Sequence, residues 1–488
     1  MFDVIVIGGG VIGGTILREL TKYKLKSCLL EKENDVCMGQ SKANSGIVHA
    51  GYDAVPGTLK ARFNVLGNKM MPHYAAELGV KYRNNGSLVV AFSTEEMQTL
   101  QNLKARGEEN GVYDLEILDM VALRAMEPNI SEAALGALYA PTGGIVCPYE
   151  LTIAAIGNAM DNGATLYTDF EVTVIEKNGD IFTVSSSDGK TVMGKIIIDC
   201  AGLQSGKIAA LAGDNSVKIG ARKGEYILLD RESGDFVSHT LFFTPTKLGK
   251  GILLTQTVDG NILLGPTAEE LEKADTTTSA EGLAFVIEKA RKMSKNPPLF
   301  NTITSFAGIR AYSEYHDFIL EESKAVKGLI LCAGIESPGL TSAPAIAEYV
   351  VKELIGVNLP LEKNEAFNGV RKPDYFFKNL SLEEKNEIIR KDPSYGKIVC
   401  RCEQITEGEI VCAIHENPPA RNIDAIKRRT RSGMGRCQGG FCQPRVAELI
   451  ARETRIKMEQ VTKSGKNSNL LVGVLKTAEG GVTSENKL

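Results

Sequence analysis

The chain has 488 residues, 43% hydrophobic and 24% charged. That is an ordinary globular composition, and at roughly 150 residues per domain it predicts about three domains rather than one small module or a disordered chain. Its 56 Lys and Arg against 60 Asp and Glu leave a net charge of −4, which excludes a global electrostatic pull toward nucleic acid or anionic lipid.

Residues 2–7 (FDVIVI) are a short apolar run ending in a glycine cluster. VIGGTILRELTKY follows with helical spacing, then SCLLEKE as a second buried strand, a β-α-β unit of about 30 residues. Gly8 to Gly13 matches G-x-G-x-x-G between that strand and helix, and Glu31 closes the second strand 23 residues after Gly8. Glycines let the backbone turn tightly against a pyrophosphate met by the helix N-terminus, and the acidic residue bonds ribose hydroxyls. The fingerprint predicts a dinucleotide site but does not choose between NAD and FAD.

Residues 166–198 carry strand-like stretches broken by Asn178-Gly179 and Asp188-Gly189, two hairpin signals. Strands recur over 222–265. Residues 326–355 return to strand, loop and helix (KGLILCAG, then APAIAEYVVKEL). The polar stretch from about 357 to 396 reads as a linker, with a boundary near 365–395, and the tail after 457 as weakly structured or docked on a partner. No apolar run reaches the roughly 18–20 residues that span a bilayer, and MFDVIVIGGG lacks the parts of an export signal, so the expectation is a cytoplasmic protein without a direct membrane span.

Of ten cysteines, Cys28, Cys37, Cys147, Cys200, Cys332 and Cys412 are scattered and read as buried reduced thiols. Cys400, Cys402, Cys437 and Cys442 fall within 43 residues. Four thiolates suffice for one metal centre. Structural zinc favours Cys-x2-Cys, whereas one pair here is tighter and the other wider, so spacing leaves zinc and iron–sulfur both open. Residues 397–456 hold eleven Lys and Arg against seven Asp and Glu, so positive charge is concentrated there. Arg428, Arg429, Arg431 and Arg436 can offset thiolate charge, and Gly433, Gly435, Gly439 and Gly440 let N–H groups curl around sulfur.

The segments MGQSKANSGIVHAGY (38–52), IIDCAG (197–202) and CAGIESPGLTSAPAIAEYV (332–350) resemble the flavin-contacting segments of the FAD-dependent amino-acid-oxidase and glycerol-3-phosphate-dehydrogenase superfamily, in the same order over 1–355. The resemblance implies an α/β fold: a Rossmann-like FAD domain of glutathione-reductase type (about 1–75, 145–220 and 326–356) with an inserted antiparallel-β substrate domain (about 76–144 and 221–325). It implies FAD contacts from Gly8, Gly10, Val11, Ile12, Gly13, Glu31, Lys32, Ser41, Ser45, Gly46, Val172, Ala201, Gly202, Gly334, Gly339, Leu340 and Thr341. VCRCEQITEGEI and KRRTRSGMGRCQGGFCQP resemble the bacterioferritin-associated-ferredoxin-like module, implying a small helical [2Fe-2S] domain over 396–456 held by the four clustered cysteines.

Within that family pattern Arg310 (SFAGIR) matches the arginine that clamps an anionic substrate bidentately. His49 is the expected base, Tyr226 a substrate-strand residue, and His316 a further candidate. Tyr52, Lys60 and Lys223 are weaker rim candidates, while His73, His239 and His415 read as structural. The fused cluster module resembles the large catalytic subunit of anaerobic glycerol-3-phosphate dehydrogenases, implying oxidation of glycerol 3-phosphate to dihydroxyacetone phosphate. SGIVHAGYDAVPGTLKAR is closer to the L-2-hydroxyglutarate oxidase group, and amine or imino-acid dehydrogenases fuse the same module, so 2-hydroxy acids and amino acids stay open; a redox-sensing flavoprotein is the non-enzymatic alternative. A flavin takes two electrons and a [2Fe-2S] centre passes one, which implies a dehydrogenase that exports electrons to a second flavoprotein or iron–sulfur subunit.

Overall fold

The computed structural model describes residues 1–245, 251–371 and 377–473, which form two compact units, Met1–Lys372 and Pro373–Leu488. In the first, strand Phe2–Ile7 lies between Ser27–Leu30 and Thr191–Asp199, parallel to both. Thr165–Tyr167 extends this parallel sheet on one side and Leu329–Ala333 on the other. Val4, Ile5 and Val6 are fully buried because both faces of the sheet are covered. Helices Val11–Leu20, Pro148–Asp161 and Gly339–Tyr349 pack on one face, and the short helix Ser205–Ala212 on the other. Gly179 and Gly189 take positive φ at the two hairpin turns that join Val172–Asn178, Ile181–Ser186 and Thr191–Asp199, as Asn-Gly and Asp-Gly predict.

Two excursions from this sheet build a second one of nine strands. The first contributes Ser87–Ala91, Glu116–Asp119 and Gly136–Ala140; the second contributes Ile219–Leu229, Thr240–Phe243, Leu253–Gln256, Ile262–Gly265, Glu269–Leu271 and Thr302–Ser313. They meet where Thr240–Phe243 pairs parallel with Ser87–Ala91. Ile219–Leu229 and Thr302–Ser313 run antiparallel along nearly their whole length. The second excursion ends at Ser313, since Ile319–Glu322 already pairs with Leu329–Ala333 in the first sheet.

The stretch read as a linker is divided between the units. Up to 371 it is strapped to the first: Lys24 N–H donates to the Glu362 carbonyl, Asn364 N–H to Lys22 and Arg371 N–H to Glu77, and buried Arg18 donates to the Gly369 carbonyl. Residues 372–376 lie outside the described residues. Beyond them, helix Leu382–Lys391 starts from a capping box made by Ser381 and Glu384. A hairpin of Ile398–Cys400 and Ile405–Thr406 and helices Glu407–His415, Ile423–Thr430 and Gln443–Thr454 then close around Ile410, Ile414, Ile426, Val446 and Ile450. Part of the tail belongs to this core: Val461 is fully buried, and the Thr462 and Lys463 carbonyls accept from Ile423 and Asp424. Residues 474–488, including the end of LLVGVLK, lie outside the described residues.

Asp199, at the end of its strand, is completely buried; one oxygen accepts from Ala201 N–H, and the other has no partner among the described residues. Burial pushes its carboxyl up to about 7, against the pull of the Ala201 N–H and of the nearby Ser205 hydroxyl. A raised carboxyl favours the fold while protonated; that contribution is complete below about pH 4 and is lost as pH rises to 7. Asp199→Asn is therefore expected to raise unfolding stability at pH 8 by about 2–4 kcal/mol and to have little effect near pH 4. Denaturant titrations at both pH values check this; equal effects at both would contradict it.

Candidate functional site

The parallel register sets Ile7 beside Leu30 and Asp199, and Asp199 beside Leu331, so the loops leaving these strands emerge along one edge. Gly8 has φ of +110°, and a Cβ there would stand 2.4 Å from the Cys200 carbonyl oxygen. A Cβ on Gly13 would stand 2.1 Å from the Gly8 carbonyl oxygen, so the helix that opens with Val11 and Ile12 approaches the turn as only glycine permits. Val11 N–H donates to Ser41 Oγ at 2.9 Å. The Glu31 carboxylate accepts from Gly9 N–H at 2.7 Å and Glu33 N–H at 2.9 Å. Burial pushes its pKa up while those two donors oppose the shift. Lys32 is exposed and pairs with Glu33.

The remaining predicted cofactor residues lie on the loops of the same unit. Val172 is buried at the hairpin start, and Ala201 and Gly202 follow Asp199. Gly10 faces Ser41 Oγ, 3.2 Å from where a Cβ would sit, and Gly46 abuts the Val146 carbonyl. Gly334, at φ +64°, packs on Ser313. Gly339, Leu340 and Thr341 open helix Gly339–Tyr349. Glycines that a Cβ would block, a helix N-terminus at the turn and a buried carboxylate closing the second strand fit a dinucleotide such as FAD.

On the substrate side, Arg310 pairs across the sheet with Arg222, and Tyr226 with Phe306. Arg310 Nη2 donates to the Thr267 carbonyl at 2.7 Å. Tyr226 is buried, stacks on Phe306 at 4.8 Å and has its hydroxyl 3.4 Å from Ser45 Oγ. Burial pushes its phenol up, with the Arg310 charge pulling the other way. The flavin-type loop lies against this strand: a Cβ on Gly308 would stand 2.0 Å from the Ala43 carbonyl oxygen, and Gln40 accepts from Ala311 N–H while donating to the Ile335 carbonyl.

Four residues past Ser45, His49 N–H donates to Thr341 Oγ1 at 2.9 Å, and its Nε2 lies 3.2 Å from Ser337 Oγ. Its ring stacks on Phe242, its carbonyl accepts from the Asn64 and Asn68 side chains, and a cavity lined by His49, Tyr52, Asp53, Asn64 and Pro338 adjoins it. Ser337, Phe242, Gln40, Asn64 and Asn68 were not singled out from sequence; the i, i+4 spacing of the two asparagines was the available signal.

His316 occupies an exposed turn with φ of +56°, its ring stacked on Tyr312, which in turn lies under Arg222. Lys60 pairs with Glu336 at 2.9 Å, Lys223 with Glu225 and Glu269, and Tyr52 is buried. His73, His239 and His415 pair with Glu77, Glu127 and Glu453. Cys147, Glu150 and Asp259 also converge, but the Lys81 ammonium already bonds both carboxylates, at 2.9 and 2.7 Å.

In the second unit, Cys400 Sγ lies 3.8 Å from Cys402 Sγ, which lies 4.0 Å from Cys437 Sγ. Cys442 sits at the N-cap of helix Gln443–Thr454, and its thiol is brought down to about 7, chiefly by the neighbouring Cys400 thiol, while Cys400 is pushed up. N–H groups of Gly433 and Glu403 point at Cys400, and those of Phe441 and Gly439 at Cys437. A Cβ on Gly435 would stand 2.5 Å from Cys402 Sγ. The basic run is largely internal: Arg429 donates to the Pro418 and Ala425 carbonyls, and Arg431 to Glu403 at 2.9 Å. All ten cysteines are free of disulfides. Four gathered sulfurs ringed by N–H donors fit an iron–sulfur cluster.

Residues 3–353 match the FAD dependent oxidoreductase family, and residues 398–452 the BFD-like [2Fe-2S] binding domain. The glycerol 3-phosphate dehydrogenase of Caloramator mitchellensis is 50% identical over 98% of this chain and 99% of its own. The glycerol 3-phosphate oxidase of Mycoplasma genitalium is 34% identical over 78% of this chain and 98% of its own. The solved structure of dithionite-reduced L-alpha-glycerophosphate oxidase from Mycoplasma pneumoniae, with FAD bound, superposes with a TM-score of 0.73 at 30% identity, covering 76% of this chain and 98% of that one. These matches leave one conclusion: the chain belongs to the FAD-dependent oxidoreductases, and it carries a BFD-like [2Fe-2S] binding domain after the flavin unit.

Proposed function

We propose that this enzyme oxidises sn-glycerol 3-phosphate to dihydroxyacetone phosphate and exports the electrons to a protein acceptor, a second flavoprotein or an iron–sulfur subunit. The observation that carries the reading is the position of the 45–49 loop. Ser45 meets Tyr226 beside Arg310 at one end, and His49 meets Ser337 and Thr341 at the other. An anion-binding cation and a proton acceptor thus flank a single loop, in a chain half identical to a glycerol 3-phosphate dehydrogenase.

Arg310 binds the phosphate through its guanidinium, held in place by the Thr267 carbonyl. His49 Nε2, which faces Ser337 Oγ, takes the proton of the C2 hydroxyl, and the bonds of the His49 backbone to Thr341, Asn64 and Asn68 fix the residue's place. Tyr226, fixed by Phe306, walls the site on the sheet side. When bound, FAD would supply the hydride acceptor for C2 and the [2Fe-2S] cluster a one-electron outlet. The glycines of the first turn, Glu31 and the 201–202 and 334–341 loops would hold FAD, and Cys400, Cys402, Cys437 and Cys442 the cluster. The oxidase relative aligns over nearly its whole length yet leaves about a fifth of this chain unmatched, which supports electron export rather than reaction with oxygen. We place the enzyme in the cytoplasm, a setting that suits ten free cysteines.

Anaerobic mixing with glycerol 3-phosphate should bleach the flavin and reduce the cluster, whereas L-2-hydroxyglutarate, glycine and proline should do neither; bleaching by one of those and not by glycerol 3-phosphate would overturn the assignment. Arg310→Ala is expected to raise KM about 10–100-fold, from loss of a charge-assisted bond of about 1.5–3 kcal/mol. His49→Ala is expected to lower kcat about 10²–10⁴-fold with a smaller change in KM. Steady-state kinetics with an artificial acceptor separate the two effects. Gly435→Ala, which sets a methyl group against Cys402, should yield protein that keeps its FAD but has lost most of its iron and acid-labile sulfide, measured per chain.

A further inference from the structure

Four cysteines have seven immediate neighbours in sequence: Val399, Arg401, Glu403, Arg436, Gln438, Phe441 and Gln443. Only Arg401, Arg436 and Phe441 among them are exposed. The single acidic neighbour, Glu403, is buried and bonded to Arg431. Phe441 is 85% exposed, although an aromatic ring is ordinarily withdrawn from water. It is also tied to the cysteines at both ends: its N–H points at Cys437 Sγ, and the next residue is Cys442. Cys402 and Cys437 are partly exposed, whereas Cys400 and Cys442 are buried. The exposed residues that flank the four thiols in sequence are therefore two arginines and an aromatic ring, with no exposed acid among them.

We propose that this face, formed by Phe441, Arg401 and Arg436, is where the cluster meets a separate, diffusing electron-carrier protein whose own docking rim is acidic. The inference rests on the reading of the four cysteines as a [2Fe-2S] site. Electron exchange within one chain needs no long-range charge steering, because the covalent link sets the effective concentration. A free carrier gains on-rate from charge complementarity, and an exposed aromatic with arginines beside it is the composition of an interface hot spot. In the transfer, one electron leaves the reduced cluster and reduces the carrier's metal, with no proton or bond exchanged.

The test uses the holoenzyme with two high-potential one-electron carriers, a plastocyanin with an acidic patch and a basic cytochrome c. Enzyme reduced with dithionite, freed of excess, is mixed with each in stopped flow, so the result does not depend on which substrate the flavin unit takes. Plastocyanin is expected to reoxidise the cluster at least about tenfold faster than cytochrome c at low salt, and to lose that advantage at about 0.3 M salt. Phe441→Ala, and separately Arg401→Glu, should slow plastocyanin about tenfold. Both should also weaken binding of redox-inert zinc-substituted plastocyanin to the oxidised holoenzyme, measured by calorimetry, with iron and sulfide contents determined for each variant. A preference for cytochrome c, or rates and affinities insensitive to salt and to both substitutions, would overturn the proposal. So would slowing of substrate-driven cluster reduction in place of reoxidation, which would assign the face to electron entry. Failure of glycerol 3-phosphate to reduce the enzyme, with the dithionite results as expected, would instead remove the substrate assignment and leave the docking face standing.

Discussion

The flavin unit depends on one backbone approach. The helix after the first strand comes so near the turn preceding it that Gly13 leaves no room for a methyl group against the Gly8 carbonyl, and Gly8 none against Cys200. That approach sets the helix N-terminus at the edge where three neighbouring parallel strands also end. A dinucleotide's phosphates need that geometry, because backbone N–H groups and a helix end reach them only where no side chain intervenes. Glu31 and Ser41 bond this same turn through Gly9 and Val11.

The substrate side is assembled differently. No single excursion from the first sheet makes it: Ser87–Ala91 from one and Thr240–Phe243 from the other complete one sheet by pairing parallel. Two long antiparallel strands then carry Tyr226 and Arg310 to the loop that holds Ser45 and His49. Close contact between Gly308 and Ala43, together with the two bonds of Gln40, joins that loop to the sheet, so the candidate cation and base are positioned by secondary structure on two sides.

The cluster-bearing unit manages charge by burial. Its net excess of basic residues is not simply a surface field, for Arg428, Arg429 and Arg431 lie inside, Arg429 bonded to the Pro418 and Ala425 carbonyls and Arg431 to Glu403. Capping boxes at Thr406 and Ser381 and a core of isoleucines, valines and alanines hold the two cysteine pairs together. Arg401 and Arg436, by contrast, are exposed.

The dinucleotide turn, the two hairpins and the cysteine set were legible because each is written in adjacent residues: glycine spacing, Asn-Gly and Asp-Gly, and Cys-x-Cys with Cys-x4-Cys. The strapping of residues 362–371 onto the first unit was not, since its polar, proline-containing sequence resembles a linker and its hydrogen bonds go to Lys22, Glu77 and Arg18, distant in the chain. Helix Leu382–Lys391 was missed for a related reason: Leu382, Ile388 and Ile389 are its large apolar residues in an otherwise charged stretch that reads as linker, although Ser381 and Glu384 spelled its cap. The grouping around His49 was hidden too, because Asn68, Phe242 and the Ser337–Thr341 turn come from three separate segments. Local sequence thus determined which backbone turns and which ligand groups this protein possesses, since steric freedom and thiol chemistry belong to individual residues. Only the tertiary structure decided which side chains face one another across the site, because strand register and loop docking arise from packing between segments far apart in the chain.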